Sequence, residues 1–165
     1  MLFQSQYFLL FFSIVFSIHW ILPSRKSRHI LLLICSYLFY MFWNIKLVSL
    51  LIFSSILDFY LAKRINKNRS LKLVFISVAA NLSILGYFKY SNFFMESLSI
   101  FLNQFFYFES NFSSLNIILP LGISFYTFQS MSYTIDIYRK KYVPYDSIIK
   151  FALYVSFFPQ LIAGP

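Results

Sequence analysis

Residues 117–139 carry no formal charge before Asp136, which is long enough for one helix to cross a bilayer. The run is nevertheless too polar to face lipid. At about 100° per residue, Gln129, Ser132, Tyr133, Asp136 and Arg139 share an arc of about 120°, while Ser124, Thr127, Ser130 and Thr134 take the opposite side. Polar side chains at membrane depth are expensive unless they face protein or a wet cavity. This helix therefore needs neighbours. It is expected at the centre of a bundle, with the Gln129 face lining a polar chamber. Pro120 and Gly122 loosen its first turn, as at helix starts beside membrane cavities.

Composition agrees with a bundle in a bilayer. The chain is 59% hydrophobic and 12% charged, about half the charged fraction of a soluble domain. The expected fold is an all-α polytopic transmembrane helix bundle with about five crossings plus interfacial or re-entrant helices. Residues 1–165 read as one integral-membrane region, without linker or repeated halves. The net charge of +9 lies in short loops between apolar runs. That is the positive-inside pattern, so the lipid bilayer is the expected partner and nucleic acid is not. Cys35 has no partner for an intrachain disulfide and reads as a small buried hydrophobe, and no metal-ligand spacing of Cys and His occurs.

The chain divides at its charges and prolines. Residues 2–22 form a first span without a basic leader or cleavage site, ended by Pro23. His19 beside Trp20 reads as an interfacial anchor or, alternatively, a proton-handling group. Residues 24–29 form a basic turn, with His29 a solvated loop residue in it. Two short helices follow, at 30–42 and 47–62, and Asp58 in the second is expected to pair with Lys63 or Arg64. A basic loop at 63–72 precedes a span at 73–90, where Ala79, Ser83 and Gly86 form a small-residue stripe suited to close packing. Asn81 should bond a neighbouring helix. Residues 93–108, with Glu96, Ser99 and Asn103 on one side, suit a helix lying in the membrane plane. A polar loop at 109–116 leads into the central span at 117–138, where Asp136 and Arg139 form an i, i+3 pair. Residues 147–159 are too short for a confident crossing, and an incomplete or re-entrant helix is expected.

The basic loops at 24–29, 63–72 and 139–141 hold three, five and three of the 14 Lys and Arg residues. Placing all three on one side leaves Lys46 and Lys89 at the other face. The expected topology has the N-terminus outside and the basic loops in the cytoplasm.

Three motifs carry a resemblance. They are Gly86-Tyr87-Phe88-Lys89-Tyr90-Ser91-Asn92-Phe93-Phe94, then Leu119-Pro120-Leu121-Gly122-Ile123-Ser124-Phe125 continuing through Thr127-Phe128-Gln129, Ser132-Tyr133 and Asp136-Ile137-Tyr138-Arg139, and finally Phe157-Phe158-Pro159-Gln160-Leu161-Ile162-Ala163-Gly164-Pro165. In this order they resemble the membrane-bound O-acyltransferases, in their alginate O-acetyltransferase-like branch. The resemblance implies acetyl transfer to hydroxyls of an extracellular polysaccharide such as alginate, in a bacterial inner membrane. Acetyl-CoA would be the donor and no bound cofactor is implied. Gln129, Ser132, Tyr133, Asp136, Arg139 and Gln160 would line the chamber. The family's catalytic histidine lies beyond the Ala-Gly-Pro motif, and neither His19 nor His29 occupies that place. The expectation is thus a truncated fold of that family, inactive alone. Its partners would be the missing C-terminal helices or a complementing chain, and periplasmic acetyl-transfer proteins.

Acyl transfer needs a base for the acceptor hydroxyl and donors for the oxyanion. Phosphate loops, Ser-His-Asp sets and paired carboxylates are absent from the sequence. A polysaccharide-export or transport component using the polar arc as a pathway, and a non-catalytic scaffold, are the alternatives. The polymer and the acyl group are left open.

Overall fold

The computed structural model describes residues 6–42, 44–106, 120 and 122–163, and these form seven helices. No strand occurs among the described residues. The chain is a membrane protein with an all-α bundle fold.

Local chemistry sets most of the boundaries. Helix α1 (Gln6–Ile21) ends before Pro23, and α2 (Arg25–Met41) starts after an extended Ser24. Asn44 caps α3 (Ile45–Asn68) by accepting from the Lys46 N–H at 2.9 Å. Arg69, left-handed at φ 45°, closes α3. Helix α4 (Leu71–Phe106) follows. Gly122 at φ +68° opens α5 (Ile123–Tyr138), where glycine alone takes the conformation without strain. Ser147 caps α6 (Ile148–Ser156), and a non-helical Phe157 separates it from α7 (Phe158–Ala163).

Three expected elements are corrected. Helix α2 reaches back into the basic cluster, so His29 lies in a helix and is half-buried. Lys and Arg are good helix formers, and nothing after Pro23 stops them. For the same reason α3 absorbs much of the basic stretch after Ala62. The separate in-plane helix does not exist. Residues 73–90 and 93–106 belong to one 36-residue helix, because no Pro or Gly lies between Tyr87 and Phe106. The polar loop at 109–116 and the first residues of the expected central span lie outside the described residues.

Helix α5 sits at the centre, packed along α3 and α4, while α6 packs on α2 and α3. The main core gathers Tyr40, Leu51, Ala62, Ile65, Tyr126, Ile137, Phe151 and Val155. A second, aromatic core ties α1 to α2 and α7 through Phe8, Phe39 and Phe158, with Cys35 buried among them. The Phe39 and Phe158 rings lie 5.6 Å apart. Helix α4 meets the main core along Val74, Ser77, Asn81 and Leu85. The small-residue stripe is not the packed face: Ser83 is exposed, and a Cβ on Gly86 would meet nothing within 4 Å.

By length and composition α3 and α4 can cross a membrane. Helices α1, α2 and α5, at 16, 17 and 16 residues, are shorter. The basic segments collect at one end of the bundle. Lys63 Nζ donates to the Asp146 carbonyl at 3.3 Å, and the Arg69 guanidinium lies 5.8 Å from the Tyr138 ring centre.

Candidate functional site

The two polar sides of α5 have different fates. Thr127, Ser130 and Thr134, on the side away from the expected chamber, are fully buried against α3 and α4. There Thr134 and Ser130 border a network around Asp58, itself fully buried. Ser77 Oγ donates to Asp58 Oδ1 at 2.6 Å, and Asn81 Nδ2 donates to Oδ2 at 2.8 Å. Thr134 Oγ1 stands 3.2 Å from Ser77 Oγ. Ser130 Oγ lies near the carboxylate but outside hydrogen-bond geometry, and it has no other partner. The expected ion pair of Asp58 with Lys63 or Arg64 is thus corrected. Lys63 sits five residues on, about 140° around the helix, and its ammonium rests 4.4 Å from the Phe59 ring centre. Asn81 does bond a neighbouring helix, as its depth requires.

The other side of α5 faces α6 and the loop before it. Gln129 is buried, and its Nε2 donates to the Tyr154 carbonyl at 2.8 Å, leaving Oε1 unpartnered. The Tyr133 hydroxyl accepts from the Tyr145 N–H at 2.9 Å. Its ring stacks on Tyr145 and packs 4.5 Å from the centre of Phe151. Burial, then the neighbouring Tyr154, pushes the Tyr145 phenol above its ordinary range. Tyr133, Asp136, Tyr142, Tyr145 and Tyr154 line a cavity of about 490 Å³. Tyr145 and Tyr154 also line an adjoining cavity of about 350 Å³ with Gln160, Lys150 and His29. Together these form one groove along α5 and α6.

Of the residues assigned to the chamber, the groove brings together Tyr133, Asp136 and Gln160. Gln129 lies behind it. Ser132 is exposed, its hydroxyl bonded to the Gln129 carbonyl of its own helix. Arg139 is exposed at the end of α5. Asp136 does not pair with Arg139; its partner is Lys141, at 3.4 Å. The chain folds back after Tyr138, so that the Lys141 N–H reaches the Asp136 carbonyl at 2.9 Å. Sequence reasoning missed Tyr145, Tyr154 and the Asp58 network. An aromatic residue every few positions around Phe151 was the available signal for the first two.

The chain is 38% identical to a probable alginate O-acetylase, AlgI, of Pseudomonas aeruginosa, and the match covers all of this chain and 32% of the relative. It is 36% identical to the AlgI protein of Azotobacter vinelandii, over all of this chain and 34% of that protein. A peptidoglycan O-acetyltransferase of Helicobacter pylori is 33% identical over 81% of this chain and 30% of its own length. The chain belongs to the membrane-bound O-acyltransferase family. It spans about a third of the length of the curated relatives it matches. No protein-family profile matches it, and no solved structure does. For a membrane-bound O-acyltransferase, the groove and the Asp58 network are polar features that the bundle encloses among the described residues.

Proposed function

We propose that the chain is part of an enzyme that transfers acetyl groups from acetyl-CoA to hydroxyls of an extracellular polysaccharide such as alginate. The observation that carries this reading is identity along the whole chain to proteins named for O-acetylation of alginate and, over most of it, of peptidoglycan. The groove from His29 and Lys150 to Tyr133 and Asp136 supplies the donor side. It opens among the basic segments, which face the cytoplasm of a multi-pass inner-membrane protein whose N-terminus lies outside.

In the reaction a base takes the acceptor proton, the freed oxygen adds to the thioester carbonyl, and the thiolate leaves with the ester formed. His19 lies beside Trp20 in an apolar pocket, and His29 sits at the basic end of the groove. Neither reaches the buried part of α5. The family resemblance places the base beyond the Ala-Gly-Pro motif, so further helices or a complementing chain would supply it. Periplasmic proteins that handle acetyl groups are the expected partners on the outer side.

The test uses proteoliposomes with radiolabelled acetyl-CoA inside and alginate oligosaccharide or peptidoglycan fragments outside. The chain alone gives no ester above background. Co-expression with the remaining two thirds of the Pseudomonas aeruginosa relative gives hydroxylamine-labile label on the polymer. Turnover by the chain alone would show that its own residues supply the base, and silence of the complemented pair would count against the acyl-transfer reading.

A further inference from the structure

We propose that the cavity between the first turns of α2 and α6 is a binding site for a phosphate group. It measures about 460 Å³, within the usual range for small-ligand pockets. Arg25, Lys26, His29, Asp146, Ser147 and Lys150 line it. With His29 neutral, three cations against one carboxylate leave a net charge of 3 − 1 = +2. Asp146 is already committed to Lys150, whose Nζ lies 2.9 and 3.1 Å from its two oxygens. Among the described residues no carboxylate pairs with Arg25 or Lys26.

Arg28 shows what a cation engaged within the chain looks like in this segment. Its Nε donates to the Leu22 carbonyl at 2.8 Å, and its guanidinium lies 5.9 Å from the Trp20 ring centre. Arg25 and Lys26 have no such engagement and sit at the cavity instead. Two helices also begin here, α2 without a side-chain cap and α6 capped by Ser147, so both helix dipoles add positive potential to a site that the side chains define. Arginine and lysine beside free main-chain N–H groups match the several acceptor oxygens of a phosphate.

The ligand is either the headgroup of an anionic phospholipid, since the cavity lies at the basic end of the bundle, or a soluble phosphate compound entering the groove through His29 and Lys150, which line both cavities. The chemistry recognised is the same. This inference does not rest on acyl transfer, and its test uses no acyl donor.

The whole chain in phosphatidylcholine nanodiscs is titrated with inorganic pyrophosphate by calorimetry. In parallel, retention of phosphatidylglycerol by the detergent-purified chain is measured by native mass spectrometry. Lys26→Gln with Lys150→Gln should weaken binding by about a hundredfold or more, at about tenfold or more for each charge-assisted hydrogen bond lost. Arg25→Gln gives the same direction should the double variant fail to fold. Asp146→Asn should tighten binding, because it removes the one carboxylate and frees Lys150. Lys67→Gln, an exposed lysine in the last turn of α3 that does not line the cavity, should change nothing. Sensitivity in the pyrophosphate arm assigns a soluble phosphate, and sensitivity only in the lipid arm assigns a headgroup. Indifference of both arms to the cavity variants overturns the site, as does an equal loss from Lys67→Gln.

Discussion

Replacing Asp58 by alanine tests the centre of the bundle. The carboxylate accepts from Ser77 and Asn81 across the α3–α4 contact, with no solvent access. Its removal strands two buried donors, each costing about 1–3 kcal/mol when left unmet. Both have a partial refuge: Ser77 can turn to Thr134 Oγ1 at 3.2 Å, and Asn81 Nδ2 keeps its bond to the Ser77 carbonyl at 2.9 Å. That places each loss near the lower limit. Interhelical hydrogen bonds in membranes reach about 1.7 kcal/mol at most. The two together give a destabilisation of about 2–3 kcal/mol for Asp58→Ala. Asp58→Asn keeps the shape and one acceptor, so it should lose about 1 kcal/mol. The assay is unfolding by SDS titration in mixed micelles, read by intrinsic fluorescence. An Asp58→Ala midpoint equivalent to the unmodified chain, or an Asn variant as damaged as the Ala variant, would refute the network's role. Lys63→Gln should be nearly silent, whereas an interfacial ion pair would make it as harmful as Asp58→Ala.

Gly122→Ala puts a Cβ 2.8 Å from the Leu161 carbonyl oxygen at a left-handed φ, so α5 and α7 must separate; a loss of at least about 2 kcal/mol in the same titration is expected. Ser36 Oγ accepts the N–H of Phe158 at 3.2 Å, and Ser36→Ala should destabilise by about 1–3 kcal/mol and speed proteolysis after Phe157. Tyr133→Phe keeps the ring stack but orphans the Tyr145 N–H, costing about 1 kcal/mol, measurable as faster amide exchange at Tyr145. The hydrogen bond from Lys150 holds the Asp146 carboxyl below the usual value of 3.8. A depressed folded value stabilises above the ordinary one and is lost as pH falls through the folded one. The stability difference between the unmodified chain and Asp146→Asn should therefore shrink to nothing as pH drops below 3.8, a trend that a pH series of unfolding curves checks.

The polarity of α5 was readable because its two polar arcs repeat at helical spacing, and a crossing so furnished must be surrounded by protein. Which arc meets which neighbour was not readable. Asp58 looked like a partner for the nearest lysine in sequence, yet five positions along a helix point the two side chains apart, and the true partners lie 19 and 23 residues on. The break at Phe157 was missed, the apolar run having been carried on to 159, whereas the loosened start of the central span was legible from Pro120 and Gly122. The length of α4 was not. Ser91-Asn92 reads as a loop signal, but Ser91 turns its hydroxyl back to the Tyr87 carbonyl and the helix runs on.

Thirty-six helical residues extend about 54 Å, while the oily slab of a bilayer is about 30 Å deep. To hide entirely, α4 would have to lean about 55° from upright, beyond the range of about 0–40° that spanning helices adopt. Its far end, away from the cationic pole of the bundle, must protrude, and Leu98 and Ile100 are exposed there. An apolar mast of that length leaves the slab at one end, so α4 by itself carries the fold into the compartment beyond the bilayer.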